Sequence, residues 1–127
     1  MSTEVRIRLT KIFLWVFCVI GFIWWPLSHW FFPGFYHKIL GFASYENSYV
    51  KVIGTLSFIP IMMMFFSALN PVRNKDMIKA LIASGILMSF AYIYLILTGQ
   101  FPKLEYINAG ITFILAIVLL IIYPWRS

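Results

Sequence analysis

The sequence predicts an all-α membrane protein, a bundle of four transmembrane helices with an interfacial aromatic segment between the first two. Three observations carry this. The 127 residues are 62% hydrophobic and only 11% charged, which leaves too little polar surface to cover a soluble globule of this size. The apolar residues gather into four runs of roughly 20, the length that crosses a hydrocarbon core as a helix. The ten Lys and Arg residues stand at the ends of those runs, where basic side chains meet headgroups and water. The net charge of +6 therefore points to the lipid bilayer as partner rather than to nucleic acid. Four spans and their connectors use nearly all of residues 1–127, so a single integral domain is expected, with no room for an extramembrane catalytic domain. The lone Cys18 excludes an internal disulfide and a Cys-based metal centre.

The first span is expected over about 9–25. Arg6, Arg8 and Lys11 precede an apolar run that ends in Trp24-Trp25-Pro26. No small-x-small cleavage site comes after it, and Phe17 stands before Cys18 where a lipobox needs a small residue, so the run reads as an uncleaved span closed by an aromatic belt and a helix-stopping proline. At 1.5 Å per residue it covers about 25 Å, which is short. The connector to Asn47 contains His29-Trp30-Phe31-Phe32-Pro33-Gly34-Phe35-Tyr36-His37-Lys38. It is too apolar for water and too interrupted to span. A short helix after Pro33-Gly34, lying in the headgroup plane with its rings down and Lys38 up, is expected. Asn47 or Ser48 is placed to cap the second span.

That second span is expected over 48–69, kinked at Pro60, which removes one backbone hydrogen bond. The polar run Asn70-Pro71-Val72-Arg73-Asn74-Lys75-Asp76 divides the chain into two helical hairpins, with Asp76 placed to cap or charge-stabilise a third span over 76–97. Thr98-Gly99-Gln100-Phe101-Pro102 ends that span. The fourth is expected over 104–123, before Pro124-Trp125-Arg126. Gly54, Ser57, Gly85, Ser89, Gly110 and Thr112 are expected to face inward, because small residues let membrane helices approach closely.

With a cytoplasmic N-terminus, Arg6, Arg8, Lys11, Arg73, Lys75, Lys79 and Arg126 lie inside and Lys38, Lys51 and Lys103 outside. Seven basic residues against three favour both termini in the cytoplasm, by the positive-inside bias.

No ionisable residue falls in the centre of an expected span, which argues against ion-coupled transport and proton relay. There is no glycine-rich phosphate loop, no Cys-x-x-Cys and no set of nucleophile, base and acid, so no catalytic residue, metal or cofactor is expected. Two groupings remain. His29, His37, Glu46 and Glu105 share the outer face and form a candidate polar site, although the His spacing matches no standard metal motif and interfacial His residues ordinarily serve as amphipathic anchors. Pro60, Met63, Tyr92 and Tyr94 are the candidate lining of an apolar ligand site, against the plainer reading of Met, Phe and Ser as packing residues.

The Trp30-Phe31-Phe32-Pro33 connector, the Tyr49-Val50-Lys51-Val52-Ile53-Gly54 entry to the second span and Asn70-Pro71-Val72-Arg73-Asn74 before the third give a layout that resembles the small four-helix bacterial membrane proteins of the DoxX-like and BphX-like group. The resemblance implies a small inner-membrane protein and carries over no catalytic or cofactor-binding position. Two functions are expected from the sequence. The first is a non-enzymatic accessory subunit that contacts another membrane protein or a second copy of itself. The alternative is a binder or carrier of an apolar molecule (quinone, lipid or aromatic compound) held within the bundle.

Overall fold

The computed structural model describes residues 1–126, all of them in helices, turns or irregular segments. Four helical segments are long and apolar enough to cross a membrane: Thr3–Phe31, Asn47–Leu69, Lys75–Leu97 and Lys103–Ile122. The expected architecture is therefore present, with one substantial difference at its start.

The first span does not stop at Pro26. It consists of α1 (Thr3–Phe22), a π turn over Ile23–Leu27 and α2 (Ser28–Phe31), which run on as 29 continuous helical residues. Proline lacks an N–H and its ring collides with the carbonyl four residues back. Widening the turn by one residue absorbs both faults, and the Ser28 backbone N–H returns to the Ile23 carbonyl. Side chains take up the loosened carbonyls: Ser28 Oγ donates to Trp24 O, and His29 Nδ1 lies 2.7 Å from Trp25 O. The span is thus longer than its apolar run suggests, and its last turn carries His29 into the bundle.

The expected short helix comes next as α3 (Pro33–Ile39), with Pro33 in its first turn. Phe31, Phe32, Phe35 and Lys38 are exposed, as an interfacial segment requires, but Tyr36 and His37 turn inward and are buried. The second span is interrupted at Ser57, giving α4 (Asn47–Leu56) and α5 (Phe58–Leu69). The break lies one turn before Pro60, where the Leu56 carbonyl has lost its donor. Neither Asn47 nor Ser48 caps α4; the N-cap is Glu46, whose carboxylate accepts from Ser48 Oγ at 2.9 Å.

At the central turn, Asn74 Nδ2 donates to the Phe66 and Asn70 carbonyls and so closes α5. The third span, α6 (Lys75–Leu97), has no side-chain cap; Asp76 sits in its first turn and pairs with Lys79 at 3.1 Å. Gly99 ends it at φ 75°, the left-handed conformation that closes a helix at little cost only for glycine. The fourth span begins with a 3₁₀ turn, Lys103–Glu105, and continues as α7 (Tyr106–Ile122).

The spans are arranged in chain order around the bundle. α6 packs most extensively on α7, α1 on α5, α5 on α6, and α1 on α7. Leu14, Ile61, Met64, Ile78, Leu81 and Leu119 form the buried core between them. At Gly85 the α6 and α7 backbones come so close that an added Cβ would lie 2.8 Å from the Thr112 carbonyl, and Ser89 Oγ meets Thr112 Oγ1 at 2.8 Å. Gly54 likewise lets α4 meet His29 on α2. Gly110 has nothing within 4 Å of a built Cβ and is not a packing position; Gly21, tight against Ile61, is one that the sequence pattern does not single out.

Both ends of the bundle are tied together, differently. At the terminal end Arg6 donates to the Ile121 carbonyl, Tyr123 to Pro71 O and Lys75 to Trp125 O. At the connector end α4 packs on α2 and on the π turn but not extensively on α6. The second and third spans meet through α5 and part above it.

Candidate functional site

The parting between α4 and α6 forms a cavity of about 380 Å³, within the range of small-molecule sites. All four spans contribute to its lining: His29 from the first, Tyr49 and Ile53 from the second, Ala91 and Tyr92 from the third and Glu105 from the fourth, with Tyr36, His37, Phe42 and Tyr45 supplied by the connector.

Behind Tyr36 and Glu105 of the lining stands a hydrogen-bonded network centred on Asn108, which has no exposed surface. Its Oδ1 accepts from Trp24 Nε1 at 2.7 Å, and its Nδ2 donates to the Tyr36 hydroxyl at 2.8 Å and to Glu105 Oε2 at 2.7 Å. The first span and the connector helix are thereby fixed to the start of the fourth span through one amide. Burial first, then the neighbouring Tyr92 and Glu105, holds the Tyr36 phenol well above the ordinary tyrosine range, so at neutral pH it is a neutral hydroxyl. Satisfied buried networks of this kind fix a single arrangement, because each member left unpaired costs its full desolvation.

From Tyr36 the lining continues as an aromatic cluster. The His29 ring lies 4.4 Å from that of Tyr36 and 5.8 Å from that of His37, and His37 stacks on Tyr45 at 4.3 Å and meets Phe42 at 5.1 Å. Both imidazoles are held in one tautomer. Nδ1 of His29 lies 2.7 Å from the Trp25 carbonyl and Nδ1 of His37 lies 2.7 Å from the Pro33 carbonyl. A carbonyl only accepts, so each Nδ1 carries the proton, and in the neutral ring each Nε2 is an acceptor.

The structure thus brings His29, His37, Glu46 and Glu105 to a single cavity. The histidines are not interfacial anchors: His29 is 4% and His37 7% exposed. Of the expected apolar lining, Tyr92 reaches the cavity. Pro60 and Met63 lie on α5, where Met63 packs on the core, and Tyr94 faces outward, 63% exposed. Ser84 is also exposed and turns its hydroxyl to the Ala80 carbonyl of its own helix. Sequence reasoning left out Tyr36 and most of the other lining residues, and it left out Asn108, which stands behind them. A hint existed: Asn108 stands three residues after Glu105, on the same face of one helix. No group of three or more His, Cys, Asp or Glu among the described residues is placed to hold a metal ion.

Compared with protein-family models, with curated proteins and with solved structures, the chain finds no match in any of the three.

Proposed function

We propose that this integral membrane protein is a binder or carrier of an apolar small molecule, held in the cavity at the connector end of the bundle. The observation that carries the reading is the parting of α4 from α6, which leaves about 380 Å³ between aromatic walls beside a fixed polar network. A close-packed interior has few voids larger than a water molecule. A cleft of this size, apolar with a few convergent polar groups, is the ordinary form of a ligand site. Its position between two spans gives a molecule dissolved in the bilayer a sideways approach, with an apolar tail left between the helices and a polar end against the connector.

In the same proposal the protein resides in a bacterial cytoplasmic membrane with both termini in the cytoplasm, and the cavity then opens toward the outer leaflet. Seven basic residues at the terminal end against three at the connector end support this orientation. A reporter fused after Ser127 is expected to be active in the cytoplasm; activity only on the far side would reverse the topology.

The accessory-subunit reading rests on small size and exposed aromatic surface, and lipid contact accounts equally for Phe31, Phe32 and Phe35 at an interface. The ligand reading is tested by native mass spectrometry of the protein released from nanodiscs. The wild type is expected to retain a small molecule that Ala91→Trp, which fills the cavity from α6, does not retain. Identical spectra from the two, or a protein partner in place of any small molecule, would return the accessory reading to first place.

A further inference from the structure

Imidazole and carboxylate acceptors line the cavity beside the hydroxyls of Tyr36, Ser44, Tyr45, Tyr49 and Tyr92, which donate as well as accept. His29, His37 and Glu105 are each more than nine-tenths buried. The Nε2 atoms of the two histidines and Oε1 of Glu105 take no hydrogen bond within the described residues. Nor are they sealed off, because the one enclosed side-chain N or O atom without a partner among the described residues is Ser67 Oγ, in α5. These three atoms are therefore open to the cavity they line. With Nδ1 protonated in both rings, Nε2 accepts, and a carboxylate oxygen also accepts.

Charge is distributed in the same sense. The chain holds ten basic and four acidic residues, yet the cavity is lined by Glu46 and Glu105 and by no Lys or Arg. The nearest basic residues point elsewhere: Lys38 and Lys103 are exposed, and Lys51 donates to the Trp30 carbonyl and sits over the Trp30 ring in a separate groove. The ion pair found among the described residues is Lys79 with Asp76, so Glu105 has no countercharge among them. The rings of Tyr36, Tyr45, Tyr92 and Phe101 belong to the same lining.

Carboxylates without a cation, imidazole acceptors without a partner and aromatic rings in the lining are together complementary to a cationic, donating head group. Resting on the ligand-binding reading above, we propose that the cavity takes a lipophilic ammonium: a protonated amine on an apolar body. Its N–H groups are donated to His29 Nε2, His37 Nε2 and the Glu105 carboxylate, its charge lies against the aromatic faces, and Glu46 at the exposed edge draws it in. A neutral ligand whose polar atoms only accept can take hydrogen bonds from the tyrosine hydroxyls but leaves the Glu105 carboxylate without a countercharge.

The test compares dodecylamine with dodecanol, equal in chain length, and dodecanoate, opposite in charge. Each is titrated into protein-loaded nanodiscs of zwitterionic lipid at pH 7, with empty nanodiscs subtracted, and bound ligand is read by native mass spectrometry. The amine is expected to bind about tenfold or more tightly than the alcohol, from a charge-assisted hydrogen bond and cation–π contact together, and the carboxylate least. Glu105→Gln keeps an acceptor for Asn108 and is expected to reduce the preference for amine over alcohol at least about fivefold. Glu46→Gln, at an exposed position where the amide keeps an acceptor for Ser48 Oγ, is expected to reduce it about twofold. Equal binding of amine and alcohol overturns the ammonium assignment and leaves the ligand-binding reading standing. Binding of none of the three above empty nanodiscs overturns both.

Discussion

The two ends of this bundle use the same materials to opposite effect. At the terminal end the helices close on one another: Tyr123 is tied to Pro71, Lys75 to Trp125 and Arg6 to Ile121, and Arg8, Lys11, Arg73 and Lys79 are exposed. At the connector end His29, His37, Glu105 and Asn108 are buried, two of the chain's four acidic residues line a hollow, and the connector adds to its lining. The difference arises from two prolines. Pro26 widens the first span into a π turn that brings His29 inside. Pro60 comes just after the break at Ser57, above which α4 leaves α6 and leans on α2. A membrane bundle can thus be tight where small residues hold two helices together and hollow where prolines redirect them.

The sharpest way to break the comparison is to attack the tight seam. Gly85→Leu places side-chain atoms where even a Cβ would be 2.8 Å from the Thr112 carbonyl; a loss of about 2–3 kcal/mol is expected in a reversible unfolding assay, as for overpacked cores. A change within about 0.5 kcal/mol would mean that α6 and α7 are free to separate there. Next in size is Asn108→Leu, which removes hydrogen bonds to Trp24, Tyr36 and Glu105 at once. It is expected to cost about 1–3 kcal/mol and to abolish ligand retention, because the wall of the cavity is no longer fixed. Wild-type retention in that variant would show that the network is not needed to shape the site. Ala91→Trp is expected to differ from the wild type by less than about 1 kcal/mol, since it enters space that is already empty; a large loss would mean that the hollow is not there. The smallest effect belongs to Gly110→Ala. With nothing within 4 Å of the added methyl group, it is expected to stabilise α7 by about 0.5–1 kcal/mol through helix propensity alone, read as a small rise in midpoint.

These outcomes also mark what the sequence contained. The four spans were legible because hydropathy and length are local properties, and so were the seam at Gly85, Ser89 and Thr112 and the turn at Gly99. The grouping of His29, His37, Glu46 and Glu105 was legible from topology alone, since an even number of short-connected spans sends those segments to one end. The rotation of each helix about its axis was not. Tyr92 and Tyr94 are two residues apart, about 200° around a helix, so only one of them can face the cavity, and hydropathy does not choose between two tyrosines. Pro26 carries the signature of a helix stop; that it becomes a π turn depends on Ser28 and His29 satisfying the loosened carbonyls, which is a tertiary fact as much as a local one. Asn108 draws its importance from Tyr36, 72 residues away, and no local pattern announces that.

The hollow between the second and third spans is the feature on which a ligand site at the connector end depends most. The most direct measurement is photo-crosslinking in nanodiscs with a diazirine-bearing dodecylamine, mapped by peptide mass spectrometry with and without excess unlabelled amine. Labelling that competitor removes is expected at Tyr49, Ile53, Ala91 and Leu95, which line the cavity from α4 and α6, over a background of uncompeted labelling on lipid-facing side chains. Labelling that competitor nowhere reduces, or that it reduces instead around Ile61 to Ser67 of α5, would contradict a site at the connector end.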